Sequence, residues 1–203
     1  MESLVKKTIF NDEQKTERVQ KLRTDFANSI KDIPPEKFVF LDESGVSVGM
    51  TRNYARCIKG QPIHGYVRSK KGGNLTIIGS LRKKGPGAMM TLPGAMDGHA
   101  FHAYVEHLLV KTLSVGDVVV MDNLPVHKMS RIIKIIEDVG ARVMFLPPYS
   151  PDFNPIEKMW SKMKAALRSM QAKNYEDLLK GVSHALRIIS PQDAQGWFRS
   201  CNV

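Results

Sequence analysis

The chain has 203 residues; 30 are Lys or Arg and 20 are Asp or Glu, which gives a formal net charge of +10 and a pI near 9.6. With 42% hydrophobic and 25% charged residues, the composition is typical of a soluble globular protein and excludes a disordered tail, a collagen-like fibre and a coiled coil.

The sequence has neither the roughly 18 consecutive apolar residues of a membrane span nor a secretory signal, so we expect a cytoplasmic protein. Two distant cysteines, Cys57 and Cys201, predict neither a disulfide framework nor a thiolate zinc site. The excess of positive charge favours a polyanionic partner.

The first 33 residues are polar and helix-forming, and they end at a Pro-Pro pair. Val19, Leu22 and Phe26 recur at helical spacing, which predicts a helix in front of the main domain. We therefore divide the chain into a leader helix or linker, residues 1–33, and one domain, residues 34–203. A chain of this size buries about 70% of its extended surface, which is enough for one hydrophobic core.

Two apolar runs predict central strands, and each ends at an aspartate. Residues 38–41 are followed by Asp42, and the run over residues 117–122 ends at Asp122. Between them, the glycine-rich segment 45–95 carries short β-type runs, which predict a meander of hairpins.

The remaining segments alternate helix and strand. They are a helix over 97–111, a helix over 131–140 closed by Gly140, a segment over 141–150 in which a strand runs into a proline-rich loop, and helices that begin at Asn154–Pro155 and near Tyr175. We assign the apolar face of the first helix to Phe101, Tyr104, Val105 and Leu108. This alternation implies parallel strand pairing, and the hairpins add antiparallel strands, so the sequence predicts an α/β fold with a mixed sheet.

The two strand-end aspartates predict a metal site. In a parallel sheet the carboxyl ends of the strands lie at one edge, so Asp42 and Asp122 are expected to be neighbours. Two close carboxylates repel each other unless a proton or cation lies between them. Oxygen-only ligands favour magnesium or manganese over zinc.

A third carboxylate is available at Glu157, in the helix that follows Pro155. The apolar stripe of that helix consists of Ile156, Met159, Trp160, Met163, Leu167 and Met170. Glu157 lies beside the stripe in register with Lys164 and Arg168, an arrangement that suits a metal ligand next to a phosphate track. Alternatively, Glu157 closes a capping box with Asn154, and the two aspartates simply begin turns. The metal interpretation depends on the three acids occurring together.

Three segments resemble the signature blocks of a known family. FLDESG around Asp42, VVVMDNLPVHK around Asp122 and FLPPYSPDFNPIEKMWSKMK around Glu157 resemble those of the DDE transposases of the mariner superfamily, in particular its bacterial insertion-sequence branch. The spacings agree with the family, because 79 residues separate the aspartates and 34 separate Asp122 from Glu157. The similarity covers residues 37–199. It implies a ribonuclease H-like catalytic domain, with a five-stranded mixed sheet flanked by helices, in which the three acids hold two Mg²⁺ ions that Mn²⁺ can replace.

The resemblance also implies an activity and partners. The activity is metal-dependent cleavage of DNA at transposon ends, followed by transfer of the 3′-hydroxyl into target DNA. The partners are transposon-end and target DNA and a second copy of the chain, and the location is the nucleoid of a bacterial cytoplasm. Family members carry helix-turn-helix modules before this domain, so we expect a fused or separate product to supply one and this chain alone to bind DNA weakly, in a salt-dependent and sequence-tolerant way. The alternatives are a catalytically silent DNA-binding or assembly remnant and a stand-alone structure-selective nuclease.

Ten residues are candidates for DNA contact: Arg52, Tyr54, Lys70, Lys71, Arg82, Asn123, His127, Lys128, Lys164 and Arg168. Cations mixed with an aromatic ring suit phosphate contact with base stacking, whereas a solvated surface is the alternative for each basic cluster. His127 has two possible roles, contact with the metal site or DNA, and stabilisation of its own loop. The proline-rich loop over residues 147–151 is expected to aim Glu157 at the aspartates.

Overall fold

The structure, a computed structural model, describes residues 12–52, 54, 56–62, 64–65 and 72–203. Its centre is a five-stranded mixed sheet with strand order β3-β2-β1-β4-β5. The strands are β1 (Phe38–Ser47), β2 (Asn74–Arg82), β3 (Gly85–Pro93), β4 (Val118–Met121) and β5 (Arg142–Phe145). Strands β1, β4 and β5 pair in parallel, and β2 and β3 add an antiparallel hairpin. The predicted α/β class and mixed sheet are confirmed; Lys70 and Lys71, predicted DNA contacts, lie outside the described residues.

Helices cover both faces of the sheet. Within the described ranges the α-helices are α1 (Glu17–Ile30), α2 (Gly98–Tyr104), α3 (Ser130–Asp138), α4 (Pro155–Met170), α5 (Tyr175–Arg187) and α6 (Pro191–Ser200). Because side chains alternate along a strand, Phe38 and Phe40 of β1 face a cluster with α1, α4, α5 and α6, whereas Val39 and Leu41 face one with α2 and α3. None of these helices is both long and apolar enough to cross a bilayer.

Strand β1 continues beyond the predicted end at Asp42. Its residues from Phe40 to Ser47 pair with β2, which carries the strand five residues further. The parallel pairing with β4, however, stops at Phe40. Asp42 therefore lies where β1 separates from β4, because the antiparallel partner β2 continues and the short parallel partner does not.

Other differences have local causes. Helix α2 continues as a π-helix over Val105–Leu109. Its wider turn moves the buried position by one residue, so Leu109 is buried and Leu108, predicted on the apolar face, is 37% exposed. Met170, assigned to the α4 stripe, is 44% exposed at the end of the helix. Helix α6 is not among the predicted helices, although its capping box, formed by Ser190 and Asp193, is a recognisable start signal.

Helix α1, predicted as a leader helix, packs on the domain. Its residues Phe26 and Ile30 are buried in the same cluster as strand β1, whereas Leu22 is 40% exposed. The division of the chain at residue 33 stays a prediction.

Arg82 takes part in an ion pair at the end of the sheet opposite Asp122. Its Nη2 donates to Asp117 Oδ2 and to Thr112 O, both at 2.7 Å, and the Asp117 side chain is only 3% exposed. The backbone N–H of Ser114 donates to the same carboxylate oxygen at 2.8 Å. These contacts give Arg82 a structural role, and the DNA contact predicted for it stays a prediction.

Replacing Arg82 with Met is therefore expected to lower the free energy of unfolding by about 3 kcal/mol, because the substitution leaves the buried Asp117 carboxylate without its cation. Urea denaturation measures the loss. The control is Lys180→Met, which removes an exposed ion pair with Glu176 and is expected to change stability by less than about 1 kcal/mol. Equal losses in the two variants would contradict the structural role.

Candidate active site

The three predicted acids come together at one cavity. Asp42 lies on β1, Asp122 directly follows β4, and Glu157 is in the first turn of α4. All three line an open cavity of about 370 Å³, one wall of which is the loop of residues 146–151. The fold thus gathers carboxylates from three distant parts of the chain at the carboxyl end of β4.

The Asp42 carboxylate is partly buried and carries a strongly raised pKa. Its Oδ2 accepts a hydrogen bond of 3.1 Å from Trp160 Nε1. Burial is the main cause that raises the pKa of Asp42 to about 7, and the negative charges of Glu157 and Glu43 add to it. The cavity is therefore short of positive charge when no cation is bound.

Trp160 reaches Asp42 because the residue of β2 that pairs with Asp42 is a glycine. Gly79 pairs with Asp42 across the β1–β2 ladder. A Cβ atom at Gly79 would lie 2.9 Å from Cη2 of Trp160 and 2.3 Å from Sδ of Met89, closer than carbon contacts allow. The absence of a side chain at Gly79 thus makes room for the indole that holds Asp42.

A buried histidine links Asp122 to a fourth acid. His127 is fully buried, its Nε2 donates to Glu43 Oε1 at 2.9 Å, and its Nδ1 lies 2.7 Å from Asp122 Oδ1. The angle of the second contact is poor for a hydrogen bond, so it is an ionic contact. Although burial opposes the charged form, the adjoining Asp122 and Glu43 carboxylates raise the pKa of His127 to about 9. His127 is therefore a cation at neutral pH.

The same contacts fix Asp122. Burial acts to raise its pKa, but His127 and the backbone N–H of Leu124, which donates to Oδ1 at 3.0 Å, hold the pKa below its ordinary value. A fully buried ring has no surface for DNA, so the contacts of His127 with Asp122 and Glu43 support a role in holding the site and its own loop in place instead of a DNA contact. Glu43, which the sequence analysis did not assign to the site, directly follows Asp42 in FLDESG, so its position was a usable signal.

The alternative explanation of Glu157 as a capping residue is not supported. The Asn154 side chain makes no capping hydrogen bond, and its backbone N–H donates to Pro151 O at 3.1 Å. Its Oδ1 is buried without a partner among the described residues. Neither half of a capping box is therefore formed. The Glu157 side chain is exposed and lines the cavity, where it is free of a capping role.

The donors around the cavity suit a hard divalent cation. They are carboxylate oxygens, which magnesium and manganese prefer. In the part of the chain that the structure describes, no group of three or more His, Cys, Asp or Glu side chains is already close enough to hold an ion. The acids share one cavity, but their side chains would have to converge on a metal.

The other candidate DNA contacts occupy several surfaces. Arg52 and Tyr54 are exposed, and Tyr54 is 90% exposed. Asn123 lines the cavity and donates its side-chain N–H to Leu146 O. Lys128 lies nearby with its Nζ 5.6 Å from the centre of the Phe145 ring. Lys164 and Arg168 are partly exposed along α4.

Solved structures of the Mos1 mariner transposase share this fold. The whole chain aligns with 63% of the chain in a pre-cleavage Mos1 transpososome, with a TM-score of 0.75 and 17% sequence identity. It also aligns over 96% of its length with 90% of the isolated Mos1 catalytic domain, with a TM-score of 0.67 and 17% identity. Mos1 paired-end complexes have been solved with Mg and with Mn. These similarities confirm the predicted ribonuclease H-like fold.

Sequence comparisons show the family. The chain is 25% identical over 107 residues to the Tcb1 transposase of Caenorhabditis briggsae, covering 51% of this chain but only 39% of that protein. It is 33% identical over 102 residues to the uncharacterized protein y4pE/y4sA of Sinorhizobium fredii, covering 48% of this chain and 70% of that protein. Residues 37–179 match the family model described as DDE superfamily endonuclease. The chain therefore belongs to the DDE superfamily of endonucleases.

Proposed function

We propose that this chain is the catalytic domain of a DDE transposase, which cleaves DNA at transposon ends and transfers the resulting 3′-hydroxyl into target DNA. The observation that carries the proposal is the meeting of Asp42, Asp122 and Glu157 at one open cavity on a DDE endonuclease fold. Family membership supports phosphodiester chemistry, and the Mos1 and Tcb1 relatives support transposition.

In this proposal, Asp42, Asp122 and Glu157 hold two Mg²⁺ ions, and Mn²⁺ can replace them. Bound divalent ions would activate the attacking oxygen and stabilise the leaving oxygen of an in-line displacement. Cleavage breaks a phosphodiester bond with water and frees a 3′-hydroxyl, and strand transfer uses that hydroxyl to attack a phosphodiester of the target. One set of carboxylates can serve both steps, since both displace an oxygen at phosphorus.

The protein's own residues prepare the carboxylates for this work. Trp160 fixes one oxygen of Asp42, while His127 and the Leu124 N–H fix one oxygen of Asp122. With its pKa raised to about 7, Asp42 in the metal-free molecule keeps its proton to a much higher pH than an ordinary carboxyl group does. A bound cation would displace that proton and relieve the repulsion from Glu157.

The proposed partners are transposon-end and target DNA. The net charge of +10 favours the phosphate backbone. The candidates for contact that are exposed or partly exposed and not held in the Arg82–Asp117 ion pair are Arg52, Tyr54, Asn123, Lys128, Lys164 and Arg168. We further propose a homodimer in the active complex, a helix-turn-helix module supplied by a fused or separate product, and action at the bacterial nucleoid.

The test is an incubation of the protein with supercoiled DNA, or with a pre-cut duplex that exposes a 3′-hydroxyl, in Mn²⁺, Mg²⁺ or EDTA. We expect nicking and joined products that require the metal. Metal-dependent nicking without joining on any substrate would favour a structure-selective nuclease. DNA binding with neither product would favour a catalytically silent remnant.

Glu157→Gln is expected to lower the Mn²⁺-dependent nicking rate by about 100-fold, because it removes one anionic ligand while keeping the size of the side chain. The matched control is Glu137→Gln on α3, an exposed substitution of the same kind that is expected to leave the rate unchanged. Initial rates on supercoiled DNA at several Mn²⁺ concentrations measure both. A rate for Glu157→Gln equal to that of the control would remove Glu157 from the site.

A further inference from the structure

The cavity wall contains a strained turn that leads directly into α4. Tyr149 adopts a left-handed backbone conformation with φ of 55°, which is uncommon for a residue other than glycine. Ser150, a short 3₁₀ turn at Pro151–Phe153 and Asn154 follow, and Glu157 lies in the first turn of the helix. Such a backbone conformation persists only where surrounding contacts hold it. The position of Glu157 therefore depends on what holds this turn.

Helix α1 supplies those contacts through Arg23. Its guanidinium binds Asp152 with two hydrogen bonds, Nη1 to Oδ1 at 3.0 Å and Nη2 to Oδ2 at 2.6 Å. Nη1 also donates to the Ser150 hydroxyl at 2.7 Å, and Ser150 donates in turn to Pro148 O at 3.0 Å. The Arg23 Cζ lies 4.7 Å from the centre of the Phe153 ring. One side chain thus holds three residues of the turn.

Two further contacts join the N-terminal part of the chain to the turn. Gln14 Nε2 donates to the carbonyl oxygen of Tyr149 at 2.9 Å, at the strained residue itself. Phe26 of α1 packs against Phe153 with ring centres 5.5 Å apart, and Phe26 is buried in the core. The turn is therefore braced against an element that is itself anchored to the sheet.

We propose that Arg23 is a positioning residue for metal binding, which acts through Ser150 and Asp152 to set the place of Glu157 at the cavity. The inference rests on the proposed metal-dependent function and adds a residue far from the three acids in sequence. A bidentate guanidinium fixes both distance and orientation, which a lysine ammonium does not. Because the acids must converge on an ion, the turn that carries Glu157 determines how readily they do so.

The test is a titration of the full chain with Mn²⁺ in the absence of DNA, in which the electron paramagnetic resonance signal of free Mn²⁺ measures how much is bound. Arg23→Met is expected to raise the dissociation constant about tenfold, the usual size of effect when a residue that supports a ligand is lost. Asp152→Asn is expected to raise the dissociation constant as well. Arg23→Lys keeps the charge but loses the bidentate guanidinium, so its dissociation constant is expected to lie between those of Arg23→Met and the unaltered chain.

Arg82→Met is the matched control, because it breaks another partly buried Arg–Asp pair at the opposite end of the sheet. It is expected to lower stability without changing Mn²⁺ affinity. The positioning role is overturned if Arg23→Met binds Mn²⁺ with unchanged affinity, or if Arg82→Met loses as much Mn²⁺ affinity as Arg23→Met does. If Arg23→Met does not fold, Arg23→Lys and Asp152→Asn decide in the same way. If the unaltered chain binds no Mn²⁺ in a manner that Asp122→Asn abolishes, the proposed function fails, and the positioning role fails with it.

Discussion

Replacing Asp122 with Asn is expected to lower the rate of Mn²⁺-dependent DNA nicking at least about 1,000-fold. The substitution removes a metal ligand, and with it several kcal/mol of the stabilisation that the metal gives the transition state. Asp122 directly follows β4, and its carboxylate is fixed by His127 and by the Leu124 N–H. The amide keeps the shape of the side chain but loses the negative charge that would hold the cation. Binding to DNA through surface cations is expected to remain.

Asp138→Asn is the matched control, since Asp138 is exposed at the end of α3 and away from the cavity lining. It is expected to nick DNA at the rate of the unaltered protein. Thermal unfolding of both variants separates a lost ligand from a lost fold. Nicking that persists in a folded Asp122→Asn protein would show that this carboxylate is not a ligand and that the cleavage chemistry resides elsewhere.

A folded Asp122→Asn protein also has an altered histidine. With Asp122 neutral, Glu43 is the one carboxylate among the described residues still in contact with the His127 ring, so the pKa of His127 is expected to fall from about 9. A proton NMR titration of the His127 ring would report this shift. Some loss of stability is expected too, because His127 is fully buried.

The sequence was sufficient to predict the parts of the site that arise from periodicity and from the ends of strands. Strand β4 is apolar throughout and ends at Asp122, and the apolar stripe of α4 leaves Glu157 beside the core-facing side. Both patterns reflect the burial of one side of an element, which a single sequence records directly. The resemblance to the DDE family added the fold and the number of strands.

Contacts between distant elements could not be predicted in this way. The hydrogen bond between Trp160 on α4 and Asp42 on β1 needs a glycine on the neighbouring strand β2, and the Glu43–His127 contact joins residues 84 positions apart. Arg23 reaches Asp152 across 129 positions. No local pattern marks such pairs. The extension of β1 beyond Asp42 has the same origin, because the length of a strand depends on the partner beside it.

Asp42→Asn is expected to stabilise the metal-free protein at pH 8 while abolishing metal-dependent nicking. The folded protein raises the Asp42 pKa from 3.8 to about 7, so folding favours the protonated form. The stabilising contribution of the neutral carboxyl is complete below its ordinary pKa and is lost as the pH rises through about 7. At pH 8 the ionised group opposes folding by at most about 4 kcal/mol, whereas an asparagine stays neutral and can still accept the Trp160 hydrogen bond.

Urea denaturation in EDTA between pH 8 and pH 5 measures this effect. The stability advantage of Asp42→Asn is expected to be largest at pH 8 and to shrink as the pH falls, and Asp138→Asn is expected to show no such trend. Mn²⁺ is expected to raise the midpoint of the unaltered protein at pH 8 but not that of Asp42→Asn, because a ligand stabilises only the state that binds it. If Asp42→Asn were less stable than the unaltered protein at pH 8 in EDTA, the burial of Asp42 and the repulsion from its neighbouring carboxylates would not be what prepares the cavity for a cation.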